Sequence, residues 1–157
     1  MNFNYAGRIT GLIAFVMGCW MSFPAQAVVR EYWIAAEKTA WNYAPSGRNL
    51  IKPESGLGGL GETPAYTKYR YIGYTDGSYA KPLAQPAWMG ILGPQLRAVV
   101  GDTLRVHFLN KTDRPLSMHP HGMLYDKNSE GADGNGAGAN VPPGKSHTYT
   151  WIADKDA

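Results

Sequence analysis

Apolar and polar residues alternate most regularly at 104–109, where Leu104, Val106 and Phe108 fall on one side and Arg105, His107 and Leu109 on the other. A period of two is the signature of a strand with one buried face. The same pattern predicts a strand at 28–38, edge-exposed or half-buried, with Tyr32, Ile34 and Ala36 together on one face. Residues 66–75, carrying Tyr66, Tyr69, Tyr71, Ile72 and Tyr74, have strand composition. Residues 95–100 lead into the turn signal Gly101-Asp102, 116–124 make a short strand interrupted by Pro120 and Gly122, and 145–153 make a last alternating strand. Between them, 42–63 is a polar, Gly- and Pro-rich surface excursion, 110–115 turns, and 126–144 is a Gly- and Asn-rich loop. Residues 81–94 hold three prolines and are expected to be irregular, with Trp88 as their buried anchor. Short strands at this spacing imply an all-β antiparallel sandwich.

Composition agrees. Glycine and proline together number 30, and Trp, Tyr and Phe another 19. Interior glycine and proline penalise helices, whereas aromatic residues suit a pleated surface. At 157 residues the chain has room for one ordinary domain.

Residues 1–27 read as a signal peptide. Arg8 precedes a mostly apolar stretch from Ile9 to Phe23, and Ala25-Gln26-Ala27 offers a small-residue cleavage site. That stretch is shorter than a bilayer span. Val16-Met17-Gly18-Cys19 also resembles a lipoprotein signal with Cys19 lipidated, though Met17 fits poorly and cleavage after Ala27 is the preferred reading. The expected product is exported, periplasmic or secreted, with residues 28–157 as its folded part. Removing the leader takes the only cysteine, so the mature chain has no disulfide and no thiolate ligand. It also takes one arginine and no acid, lowering the formal charge from +3 to +2. A surplus this small gives no reason to expect nucleic acid or a membrane surface as partner.

The chemistry-bearing segment is Ser117-Met118-His119-Pro120-His121-Gly122. In extended chain, residues two apart project to one side about 6.5–7 Å apart, so the two imidazoles can reach one metal or two adjacent ones. Copper, zinc, nickel and iron all accept imidazole nitrogen, and two histidines alone do not choose among them. Pro120 stiffens the spacer and Gly122 lets the backbone turn. His107 reads as a satisfied sheet-face histidine and His147 as a surface residue, while Trp33, Trp41 and Trp151 read as core or rim. Asp126, Asn128, Glu130 and Gly131 partly mimic a calcium loop, but Ala137 stands where its bidentate Glu is required. Asn110-Lys111-Thr112 is a glycosylation acceptor in a eukaryotic host.

Gly93-Pro94-Gln95-Leu96, Gly101-Asp102-Thr103-Leu104-Arg105-Val106, Asn110 and His119-Pro120-His121-Gly122 together resemble the first, plastocyanin-like domain of multicopper oxidases. Pro86-Ala87-Trp88-Met89-Gly90-Ile91-Leu92, Tyr125 and Glu130-Gly131-Ala132 are similar to the ceruloplasmin-like branch. The resemblance runs from about Val29 to the end of the chain. It implies a cupredoxin-like Greek-key antiparallel β-sandwich, incomplete at its C-terminus, and copper as cofactor. It further implies that His119 ligates the type 2 copper and His121 one of the paired type 3 coppers of a trinuclear cluster that reduces O2 to water. Glu130 becomes a candidate proton relay, since that reduction consumes protons; a solvated loop acid is the plainer alternative.

The remaining cluster histidines and a cysteine-containing type 1 site have no counterparts here. The chain is therefore expected to be a truncated oxidase domain. It would be inactive alone and completed by cupredoxin domains of the same parent protein or of other subunits. A non-catalytic metal-binding or protein-interaction module of the same fold is the alternative. A small blue-copper carrier is set aside for want of cysteine in the mature chain.

Overall fold

A computed structural model describes residues 27–58, 64–134 and 136–156. The leader expected over 1–27 therefore lies outside the described residues apart from Ala27, and Cys19 with it. Four strands form one sheet: β1 (Val29–Asn42), β2 (Ala65–Tyr74), β3 (Thr103–Asn110) and β4 (Ser146–Ile152), in the order β2-β1-β3-β4. The described residues contain no α-helix, only short 3-10 turns such as Ala87–Met89.

β1 runs antiparallel to β2, and β3 antiparallel to β4, as expected. The central pairing departs from the antiparallel pattern, because β1 is parallel to β3 with Val29 opposite Thr103. Parallel neighbours require a long crossover, and β2 with the excursion after it supplies one. Asp102 fixes the register. Its buried carboxylate accepts the Val28 and Val99 amide N–H groups at 3.1 and 3.0 Å and pairs with the Arg30 guanidinium. The Val99 amide first, then Arg30, hold its carboxyl below the usual carboxylate range against the opposing effect of desolvation.

The alternation at 104–109 is realised in full: Leu104, Val106 and Phe108 are buried, and Arg105 is exposed. With Ile34 and Ala36 of β1 and Tyr149 and Trp151 of β4 they make the core face. Burying each of the larger side chains contributes about 1.5–3 kcal/mol. The opposite layer is mostly irregular chain. Leu96, Leu116, Met118, Met123 and Val141 pack down on the sheet, tied by isolated bridges between Leu116 and Val141 and between Leu124 and Ile152.

Three expectations need correction. Residues 95–100 are not a strand; Tyr32 Oη, both accepting from the Arg97 amide and donating to its carbonyl, tethers them as an irregular segment. Residues 116–124 pair only through the two bridges. Trp88 is no buried anchor, since it lies at the centre of the 3-10 turn and is 79% exposed. Trp41 packs over Gly90 instead, so closely that a Cβ there would meet its ring at 2.9 Å.

Asn110 is fully buried. Its amide N–H groups donate to the Arg114 and Val141 carbonyls at 2.6 and 2.8 Å, and its Oδ1 accepts from the Thr112 amide and hydroxyl. The 110–112 sequon is thus a turn lock, closed to a glycan in the folded chain.

Candidate metal centre

His119 and His121 lie on the irregular layer, at a cleft of about 540 Å³ also lined by Leu104, Met118, Met123 and Trp151. Both imidazoles are exposed, whereas Pro120 between them is buried and seats the segment. The ring centroids stand 5.1 Å apart with planes crossing at 83°. Two phenols from the sheet pin the backbone beneath them. Tyr71 Oη donates to the Ser117 carbonyl at 2.5 Å, and Tyr149 Oη accepts from the Met118 amide at 3.1 Å. Burial pushes the Tyr149 phenol up to about 12, so it stays protonated and donates to the Gly138 carbonyl at 2.7 Å. Gly122 turns the chain away at φ +69°.

His119 Nδ1 lies 2.6 Å from the Glu130 main-chain carbonyl. A carbonyl oxygen only accepts, so Nδ1 carries the proton, and in the neutral ring the Nε2 lone pair is left to accept a hydrogen bond or to bind a metal. An N–H tied to a backbone carbonyl is the usual outer partner of a ligating histidine. The donor set therefore suits copper: imidazole nitrogen is a good copper ligand and one ring is already oriented. Among the described residues, no three His, Cys, Asp or Glu side chains are grouped to hold a metal ion. His119 and His121 would supply two donors of a larger sphere.

Glu130 comes to the site through its backbone. Its half-buried carboxylate makes no hydrogen bond or ion pair to a described residue, while its carbonyl orients His119. Gly131, next in sequence, has φ +71°, and a Cβ there would fall 1.9 Å from the Met118 carbonyl oxygen. That approach brings the loop against the histidine segment.

His107 is a satisfied sheet-face residue, with Nε2 2.6 Å from Glu31, Nδ1 3.0 Å from the Thr148 hydroxyl, and its ring stacked on Trp33. His147 is not a free surface residue. It is half-buried against Tyr149, and its Nε2–H donates to the Asn128 carbonyl at 2.8 Å. Trp151, read from the sequence as core or rim, is in the core and also carries a bond that the sequence did not show: its Nε1–H donates to the carbonyl of Ser129 at 2.7 Å, and Ser129 Oγ accepts the Thr150 amide at 3.1 Å. Period-two spacing of His147, Tyr149 and Trp151 was the available signal, because it puts all three on the face that the loop covers.

Comparison with known proteins places this geometry. The multicopper oxidase family model matches residues 86–157. Hephaestin of Mus musculus is 38% identical over 166 aligned residues, covering 93% of this chain and 14% of hephaestin. Ceruloplasmin of Ovis aries is 40% identical over 150, covering 82% of this chain and 14% of that protein. A crystal structure of a multicopper oxidase superposes with a TM-score of 0.50 at 27% identity, covering 79% of this chain and 31% of the other. The chain thus spans about one seventh of the length of these two relatives, and its all-β fold is of the cupredoxin-like kind found in those oxidases. Residues 86–157 carry a multicopper oxidase family domain.

Proposed function

We propose that the chain is a copper-binding part of a larger exported multicopper oxidase, with His119 and His121 as its metal ligands. The observation that carries this is the pair of imidazoles at 5.1 Å on the cleft, one with its Nδ1–H already engaged by the Glu130 carbonyl. Copper bound there, within a trinuclear cluster completed by other domains, would supply the electrons and binding positions for reducing O2 to water. A substrate would be oxidised elsewhere in the parent protein.

The residues of this chain do three things toward that end. His119 offers Nε2, held in orientation through Nδ1. His121 offers a second imbedded-in-sequence imidazole on the same short segment, which Pro120 stiffens from its buried position. Met118, Met123, Leu104 and Trp151 line the cleft with apolar surface, and a water-poor wall strengthens electrostatic contacts beside a metal. Glu130 adds a half-buried carboxylate on the same residue whose main-chain carbonyl meets His119, suited to relaying protons through water. Residues 1–27 are proposed as the leader, and 28–157 as the domain part.

The test is oxygen uptake. The copper-loaded parent protein should consume O2 when given Fe(II) or a phenol. No uptake with any reductant would end the oxidase reading.

A further inference from the structure

Three consecutive carbonyls of the loop before Gly131 each accept from a ring N–H. The Asn128 carbonyl takes His147 Nε2–H at 2.8 Å, the Ser129 carbonyl takes Trp151 Nε1–H at 2.7 Å, and the Glu130 carbonyl takes His119 Nδ1–H at 2.6 Å. The first two donors stand on β4 and belong to the sheet; the third is the proposed ligand. We propose that this run is a template that selects the Nδ1–H tautomer of His119, with His147 and Trp151 as its positioning residues. The inference rests on the reading of His119 as a metal ligand.

Ser129 is the fixed point of the template. It is 4% exposed, and all of its polar groups are engaged. Its amide donates to Asp126 Oδ1 at 2.8 Å, its Oγ accepts from the Thr150 amide, and its carbonyl accepts from Trp151. A peptide held on both sides in this way cannot swing, so the next carbonyl points where the sheet directs it. Gly131 then closes against the Met118 carbonyl, one residue before His119, limiting movement between the loop and the ligand segment. Chain beginning 22 residues from Trp151 thereby decides which ring nitrogen of His119 keeps its lone pair. Without the template, the two neutral tautomers of an exposed imidazole would interconvert. Metal binding through Nε2 would then have to select one of them and fix the ring as well.

The experiment needs no metal. In the full chain at about pH 8, above the ordinary imidazole range, the ring 15N and 13C shifts of His119 should report Nδ1–H. His147, whose Nε2 donates, should report the opposite tautomer. Trp151→Phe keeps the aromatic packing and removes the donor, and His147→Leu removes the other. Each should turn the His119 signal into a tautomer mixture while leaving His121 unchanged. His147→Gln, which retains an N–H donor, should restore it. Copper affinity of the parent protein should fall about 10- to 100-fold in the two donor-deleting variants. An Nε2–H signal for His119 in the unmutated chain would overturn the template, whatever the variants do. So would a pure Nδ1–H signal in folded Trp151→Phe and His147→Leu chains. Failure of the copper-ligand reading is read separately, as copper binding that ignores replacement of His119 and His121.

Discussion

Replacing Gly131 with alanine strikes the contact between the loop and the histidine segment directly. Two costs combine. At φ +71° an L-residue pays roughly 1–2 kcal/mol for its left-handed backbone. The new Cβ would also lie 1.9 Å from the Met118 carbonyl oxygen and 2.7 Å from its carbon. Neither atom belongs to a flexible side chain, so one backbone must retreat by more than 1 Å to reach van der Waals distance, as overpacking estimates of about 1–3 kcal/mol reflect. The sum is about 2–5 kcal/mol. With a urea slope of about 1–3 kcal/mol per molar, the denaturation midpoint of the full chain should drop by about 1 M or more. The retreat also separates the Glu130 carbonyl from His119, so copper retention by the parent protein should fall in parallel. A Gly131→Ala chain with an unchanged midpoint and unchanged copper retention would refute the close approach.

Asn110→Ala should destabilise the full chain by about 3–5 kcal/mol in the same denaturation assay, because it leaves the Arg114 and Val141 carbonyls and the Thr112 amide without their partner in a buried turn. No glycan should attach at Asn110 in a folded product expressed in a eukaryotic host, as intact mass would reveal. Asp102 sets an acid limit. Its carboxyl titrates below its ordinary value of 3.8 in the folded chain, so the stability it contributes is complete above that pH and is lost as the pH falls through the folded value. Urea midpoints should therefore decline below about pH 4, and Asp102→Asn should flatten that part of the decline.

How legible the molecule was depends on how local each cause is. The β3 and β4 alternations were readable because Leu104, Val106, Phe108, Tyr149 and Trp151 face one core. The parallel match of β1 to β3 was not, since it depends on Asp102 reaching back to Val28 and Arg30 across more than 70 residues. Residues 95–100 have strand-like composition, yet their hydrogen bonds go to the Tyr32 phenol and the Asp102 carboxylate. Composition also misled at Trp88, whose turn packs through Gly90 beneath Trp41. At the site, the two histidines announced themselves by spacing. Their support did not: Ser129, Gly131, His147 and Trp151 act through main-chain carbonyls, and a carbonyl has no letter in a sequence. Glu130 was picked out for its carboxylate, whereas its contact with His119 is made by its backbone.

Copper stoichiometry of the intact parent protein, measured with and without His119→Ala and His121→Ala together, tests the ligand assignment most directly. The double variant should remain folded, since both side chains are exposed, and should lose the copper held at this cleft. Equal copper content in the two proteins would contradict it.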